Sequence, residues 1–341
     1  MTAVDRPVER PAGRRSLPQA APLLGGLVLL AAVAVLSLGV GAHQVSPGEV
    51  LRALFDYHAG DDDHVIVRDI RLPRAVLATA VGAALAAAGA LIQTLARNPL
   101  AEPGVLGVTA GAGFAITVGA GLGLAAGQGG QLLWAIAGSV LAALLVAAVG
   151  RTSPLRLVLT GTALTAVLGG LALGLRLMDP ETFDTYRFWS VGTLAGREQE
   201  PLALPLTGIA LCLVLALTIS RGLNALSLGE NVARALGVRV ARTQALTLVL
   251  ITVLCGAATA VAGPILFVGL IVPHLVRRLA QGSVPWLLLH SMVLGPVLLL
   301  AADSAARVLL PTGEVPVGIV TAFLGGPMLI WTVRKYGAGA L

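Results

Sequence analysis

Uncharged residues run together along most of this chain, and the lengths of the runs decide what they build. Thr243 to Val276 is 34 residues without a charge, interrupted by Gly263-Pro264 and Pro273 and closed by Arg277-Arg278. A helix rising about 1.5 Å per residue crosses about 30 Å of hydrocarbon in about 20 residues, so this run is too long for one straight span and short for two full ones. It predicts two helices meeting at a break. Irregular backbone at membrane depth is tolerated only where protein or a watery cavity satisfies its polar groups, which is the architecture of a transporter rather than of an anchor.

The remaining runs repeat the pattern: Ser16 to Gly48, Ala75 to Ala96, Pro103 to Gly150, Leu157 to Leu175, Pro201 to Ser220, Leu279 to Ala302 and Val315 to Val333. With Pro103 to Gly150 split at Gly127-Gln128-Gly129-Gly130, they give ten candidate spans. The expected fold is all-α, a polytopic membrane protein whose single permease domain covers 21–336, with an N-terminal tail at 1–20 and a C-terminal tail at 337–341. At 56% hydrophobic and 12% charged residues, the composition exceeds what a soluble core of this length needs. The apolar run after Arg14-Arg15 outlasts a signal-peptide core, which predicts a retained first helix.

Charge sets the orientation. With a cytoplasmic N-terminus and ten alternating spans, the inner segments hold 15 of the 23 basic residues and 4 of the 17 acidic ones, the bias the positive-inside rule requires. Both termini then lie inside. The excess of +6 reflects topology rather than nucleic-acid binding, since no basic stripe is interleaved with aromatics. Three outer arginines, Arg71, Arg74 and Arg307, run against the bias. Lipid headgroups, salt bridges or snorkelling would account for them, as would contact with a partner.

Candidate chemistry is sparse. The only lysine, Lys335, follows no G-x-x-x-x-G, so the chain cannot hold ATP in a P-loop and any ATP must be hydrolysed elsewhere. Nucleophile elbows, H-E-x-x-H helices and paired intramembrane carboxylates are missing from the sequence, so no catalytic residue, metal site or cofactor is expected. Cys212 and Cys255 read as small packing residues, and the five histidines as unclustered, with His274 beside Pro273 a structural histidine near a break. Asp303 and Arg307 stand one helical turn apart, as a helix-end ion pair or a functional one. Tyr186, Phe188 and Trp189 make the outer loop from Met178 to Glu200 an interfacial anchor or a partner contact.

Small residues predict how the helices approach. Gly107-x-x-x-Gly111, Gly119-x-x-x-Gly123 and Gly170-x-x-x-Gly174 each place glycines on one helix face. Gly82-Ala-Ala-Leu-Ala-Ala-Ala-Gly89 and Gly256-Ala-Ala-Thr-Ala-Val-Ala-Gly263 agree at six of eight positions, and the same offset sets Pro99 on Pro273. The two copies cross in opposite directions, as in an inverted repeat. Between Arg221 and Arg242, the longest inner loop, Leu226-Ser-Leu-Gly-Glu-Asn-Val-Ala-Arg-Ala-Leu-Gly237 predicts a short amphipathic helix with Val232, Ala233 and Leu236 on its apolar face and a turn at Gly237.

Taken in order, Arg71-Leu-Pro-Arg74, the Gly82–Gly89 block with Gln93, Arg97-Asn-Pro-Leu-Ala-Glu-Pro-Gly-Val-Leu-Gly107, Leu228-Gly-Glu230 through Ala235-Leu-Gly237, Gly263 through Arg277, Ala302-Asp-Ser-Ala-Ala-Arg307 and Glu314 through Ala322 resemble the FecCD family of ABC importer permeases. The resemblance spans roughly 20 to 336. It implies a bacterial inner-membrane permease of ten helices, paired as a homodimer or close heterodimer. Its partners would be two cytoplasmic ABC ATPase subunits and a periplasmic or lipid-anchored substrate-binding protein. The cargo would be an iron-siderophore, with cobalamin or haem as alternatives; an ion-coupled secondary carrier is the contrasting class. By the same resemblance, Leu228, Gly229, Glu230, Ala233, Arg234, Leu236 and Gly237 belong to a coupling helix pair seated in the ATPase. Arg71, Arg74 and Arg307 would dock the binding protein. Thr152 and Ser153 would narrow the cytoplasmic gate, although either also suits a helix N-cap before Pro154.

Overall fold

The computed structural model describes residues 19–125, 127–150, 154–197, 202–310 and 313–336. Thr152, Ser153, most of the 1–20 tail and the 337–341 tail lie outside them. In chain order the helices are α1 (Ala20–Gly39), α2 (Pro47–Phe55), α3 (Asp62–Val65), α4 (Leu72–Ala96), α5 (Val108–Gly121), α6 (Gly127–Gly150), α7 (Pro154–Met178), α8 (Pro180–Ser190), α9 (Ala203–Ser227), α10 (Glu230–Ala235), α11 (Val240–Ala262), α12 (Val268–Ala280), α13 (Val284–Ala306) and α14 (Val317–Tyr336). A π-helical stretch, Ile66–Arg71, joins α3 to α4, and a 3-10 turn, Pro103–Leu106, precedes α5.

Among the described residues, seven helices are long and apolar enough to cross a membrane: α1, the continuous Asp62–Ala96 helix that ends in α4, and α6, α7, α9, α11 and α13. Two shorter apolar helices, α5 and most of α14, join them. With the 13-residue α12 these fall on the ten expected segments. The long uncharged run does break, at Gly263 to Phe267 between α11 and α12. Gly263 takes φ +72°, which glycine adopts without a Cβ penalty, and Pro264 cannot donate to a continuing helix. Pro273, expected to be a second interruption, instead lies buried inside α12.

The weak sequence echo corresponds to a repeat in the packing. α4 packs on α12 and α13 as α11 packs on α5 and α6; α5 meets α6 and α7 as α12 meets α13 and α14. The two units run in opposite senses, because the end of α4 and the start of α11 both meet the end of α9, through Arg97 Nη2 to Leu226 O and Gly222 against Thr243. Repeat-related glycines make equivalent contacts. A Cβ on Gly82 would sit 2.7 Å from Gly295 O in α13, and one on Gly256 would sit 3.1 Å from Ser139 Cβ in α6. α4 lies at the centre, buried without interruption from Val81 to Gln93, which explains its alanines and glycines: backbones must approach where lipid offers no hydrophobic drive.

The other small-residue motifs divide. Gly111 interlocks with Gly138 of α6, and Gly119 lies under Trp134, but Gly170 and Gly174 of α7 have nothing within 4 Å of a would-be Cβ. That stripe is bare within one subunit.

Of the aromatic residues expected to form an anchor, Tyr186 and Trp189 pack into the subunit, and the Phe188 side chain lies outside those described. Trp189 is 3% exposed, its ring centroid 5.6 Å from that of Tyr186, and the Arg176 guanidinium sits 3.6 Å over the Tyr186 ring. After α8 the chain reaches the α11–α12 break, where Thr193 N–H donates to Ala262 O (2.8 Å) and Gly318 N–H to Gly192 O (3.0 Å). A backbone segment at this depth must find polar partners, and it finds them at the other interruption.

Candidate functional site

Two polar clusters at opposite ends of the bundle hold most of the sequence-selected residues. The first gathers Arg71 and Arg74 from the start of α4 with Asp303 and Arg307 from the end of α13. Arg74 Nη2 donates to Asp303 Oδ1 (2.8 Å), Arg307 Nη2 to Asp303 Oδ2 (2.7 Å), and Arg74 Nη1 to Glu314 Oε2 (2.7 Å). The remaining donors close the end of α1. Arg71 Nη1 reaches Leu38 O (2.8 Å) and Gly39 O (2.9 Å), its Nη2 donates to His43 O, and Arg307 Nη1 reaches Ser37 O (2.8 Å) and Val40 O (3.0 Å). The last carbonyls of a helix lack internal partners and carry the negative end of its dipole, so two cations there satisfy both needs.

All three arginines are buried, at 6%, 6% and 3% exposure, and Asp303 is at 0%. The family resemblance implied docking charges here, while the residues themselves left salt bridges open. In this conformation their guanidinium groups face carbonyls and carboxylates of the same chain, and the charge the cluster shows at the surface is Glu314, at 40%. The Asp303–Arg307 pair is therefore part of a network of four charged residues, with Arg74 and Glu314, rather than an isolated helix-end pair.

The cap beside this cluster, α2 and α3, also brings together histidines that read as unclustered: the His58 and His64 rings lie 5.8 Å apart. Glu49, Asp61 and His64 offer ligand-type atoms within 4.8 Å of one another. His64 Nδ1 accepts the His58 N–H (3.0 Å), which makes Nε2 the protonated nitrogen, a donor and not a lone pair for a cation.

At the opposite end of the bundle, α9 continues to Ser227, two turns beyond the uncharged run, and α10 stands alone between α9 and α11. Gly229 at φ +115° and Gly237 at φ +80° make the turns that set it apart. Glu230 pairs with Arg234 one turn on (2.8 Å) and accepts from Gln244 of α11 (3.3 Å). The apolar face differs from the expected one: Ala233 alone is buried against the bundle, while Leu228 (65%), Val232 (44%) and Leu236 (64%) project outward. A second short helix is not separate; the last turns of α9 form the other limb.

The root of that segment is tied to the core. Pro273 has no N–H, so the Gly269 carbonyl one turn earlier loses its helical donor. Gln93 Nε2 of α4 supplies one (3.1 Å), and Arg277 Nη2 holds the Gln93 oxygen (2.6 Å). Arg97 caps α9 at Leu226 O (2.9 Å), and Asn224 Oδ1 accepts the Val284 N–H at the start of α13 (2.9 Å). Between these groups lies a cavity of about 400 Å³ that His274 also lines. Sequence patterning gave Gln93 no role, although a glutamine amid 12 buried apolar and small neighbours, Val81 to Ile92, was the available signal.

The family model described as the FecCD transport family matches residues 29–335. This chain belongs to that family. Among its FecCD relatives it is 45% identical to the ferric enterobactin transport system permease protein FepD of Escherichia coli (strain K12), over 96% of this chain and 99% of that one. It is 37% identical to the iron(3+)-hydroxamate import system permease protein FhuB of Bacillus subtilis (strain 168), over 93% and 84%, and 36% identical to the hemin transport system permease protein HmuU of Yersinia pestis, over 91% and 94%. A solved metal-chelate type ABC transporter in an inward-facing conformation superimposes with a TM-score of 0.84 at 32% identity, covering 93% of this chain and 99% of that one. The chain is a multi-pass membrane permease of this family.

Proposed function

We propose that this FecCD chain is the membrane subunit of an ABC importer for a ferric siderophore, working by alternating access in the cell membrane of a bacterium with both termini inside. The near end-to-end match to a ferric enterobactin permease carries this reading. Energy comes from separate ATPase subunits, since the chain's one lysine stands outside any phosphate-binding loop. A second permease subunit covers the bare α7 stripe, and an external binding protein chooses and delivers the cargo. Haem is the second cargo, on the likeness to the hemin permease. Thr152 and Ser153, which fall between α6 and α7 in sequence, are proposed to line the inner gate.

The test is uptake of an iron-labelled siderophore into proteoliposomes holding permease, ATPase subunits and binding protein. Accumulation is expected only with all components and ATP. Uphill uptake by the permease alone would show an ion-coupled carrier instead.

Coupling to the ATPase is assigned to the segment Leu228, Gly229, Glu230, Ala233, Arg234, Leu236 and Gly237. Its exposed leucines supply the contact, while Ala233 and the Glu230–Gln244 bond fix it to α11. Leu228→Asp with Leu236→Asp is expected to lower ATP-driven uptake about tenfold, the cost of removing one interface anchor. Both side chains point outward, so the thermal midpoint of the subunit should not move. Wild-type co-purification of the ATPase with wild-type uptake would remove the segment from the interface.

Docking of the binding protein is proposed to depend on Arg71, Arg74 and Arg307 as positioning groups. They fix the end of α1 and the loop before α14, on whose surface the partner rests, and Glu314 is the charge displayed there.

A further inference from the structure

The break between α11 and α12 receives an acidic group from a distant part of the chain. Glu102, which the charge count places on the inner side, follows α4 and begins the 3-10 turn before α5. Its Oε1 accepts the backbone N–H of Phe267 (3.1 Å), 165 residues away. Phe267 caps the start of α12 and holds φ +69°, one of three non-glycine residues in the left-handed region among the described residues. That conformation disfavours a bulky side chain and persists where its surroundings impose it. The first turn of α12 is indeed fixed on its other side, with Gly269 packed on Gly89 of α4.

Two consequences follow from the left-handed turn. It brings a carboxylate to the positive end of α12, inside the bundle, where charge and helix dipole reinforce each other. It also lays the Phe267 ring on α14: a Cβ on Gly325 would fall 2.2 Å from Phe267 Cγ, so the ring occupies a notch that only glycine leaves. A small cavity of about 20 Å³ adjoins Glu102, lined also by Thr109, Cys255 and Thr259.

We propose that Glu102 is a positioning residue for transport: by holding Phe267 in its left-handed turn it sets where α14 rests against α12, and so links the α4–α5 connection to the last span. The proposal rests on the permease reading above, but the position of α14 can be measured whatever the cargo.

The experiment uses the assembled transporter in nanodiscs, with spin labels at Leu275→Cys of α12 and Leu324→Cys of α14, both exposed in the subunit. Glu102→Ala is expected to broaden the distance distribution and to lower uptake per ATP hydrolysed about five- to tenfold, the scale of a lost helix cap. Glu102→Gln keeps an acceptor oxygen and is expected to retain the wild-type distance with uptake within about threefold. Gly325→Ala, which drives the ring from its notch while leaving Glu102 intact, should displace α14 in the same way. It also serves if Glu102→Ala fails to assemble. An unchanged distance in both Glu102→Ala and Gly325→Ala, or equal loss of uptake in Glu102→Ala and Glu102→Gln with no change in distance, overturns the proposal. Loss of siderophore uptake in the unmodified complex would count against the cargo and leave the distance result standing.

Discussion

Asp303→Ala is expected to destabilise the subunit by about 3–5 kcal/mol, the range for breaking a buried ion pair by deleting one partner. The carboxylate stands between Arg74 and Arg307, which are 6% and 3% exposed. Removing it leaves two guanidinium groups facing each other in a low-dielectric site. The pair itself need not stabilise the fold relative to an apolar replacement; the cost arises from the uncompensated charges left behind. Asp303→Asn keeps one acceptor oxygen but turns an amide N–H₂ toward a cation, and should fall between the two. Glu314→Gln affects a partly exposed rim pair and is expected to cost about 1 kcal/mol or less. Thermal unfolding of the purified subunit in detergent orders the three variants. An Asp303→Ala midpoint equal to that of Glu314→Gln would mean that the network does not hold the end of α1.

This network also shows what a sequence can and cannot reveal about such a protein. The spans were legible because hydrocarbon thickness fixes the length of an uncharged run, and the break because Gly263-Pro264 interrupts one. Arg71, Arg74 and Arg307 stood out as basic residues on the acidic side. Asp303 stood out one turn from Arg307, but the acceptors at the end of α1 did not, because Ser37 to Val40 contribute only carbonyl oxygens to these arginines, and a backbone acceptor leaves no trace in composition. Pro273 misled for a related reason. A proline predicts a lost hydrogen bond, but whether the helix breaks depends on a replacement donor, and Gln93 lies 180 positions earlier in the chain. Likewise Val232, Ala233 and Leu236 could be placed together on a short helix, but periodicity does not say which apolar residue turns to the core. Residues joined by tertiary contact alone, such as Glu102 and Phe267, required the fold.

Close backbone approach gives the second large effect. Gly89→Ala puts a Cβ 1.9 Å from the Gly269 oxygen, a clash with backbone rather than with the end of a flexible side chain. α4 cannot retreat, because a Cβ on Gly82 of the same helix would already lie 2.7 Å from Gly295 O of α13, and Gly269 is held by Gln93. Overpacking of this kind costs about 1–3 kcal/mol for a single added carbon and more for a larger group, so Gly89→Val should fail to give a monodisperse subunit. Gly174→Ala is the contrast. Its Cβ meets nothing within 4 Å, and alanine favours a helix by about 0.5–1 kcal/mol, so the isolated subunit should be no less stable. If the α7 stripe is where a second subunit packs, the same substitution should weaken assembly of the complete transporter. Thermal midpoints of the subunit and size-exclusion profiles of the complex separate the two glycines. A Gly89→Ala subunit as stable as the wild type would show that α4 and α12 are not in backbone contact.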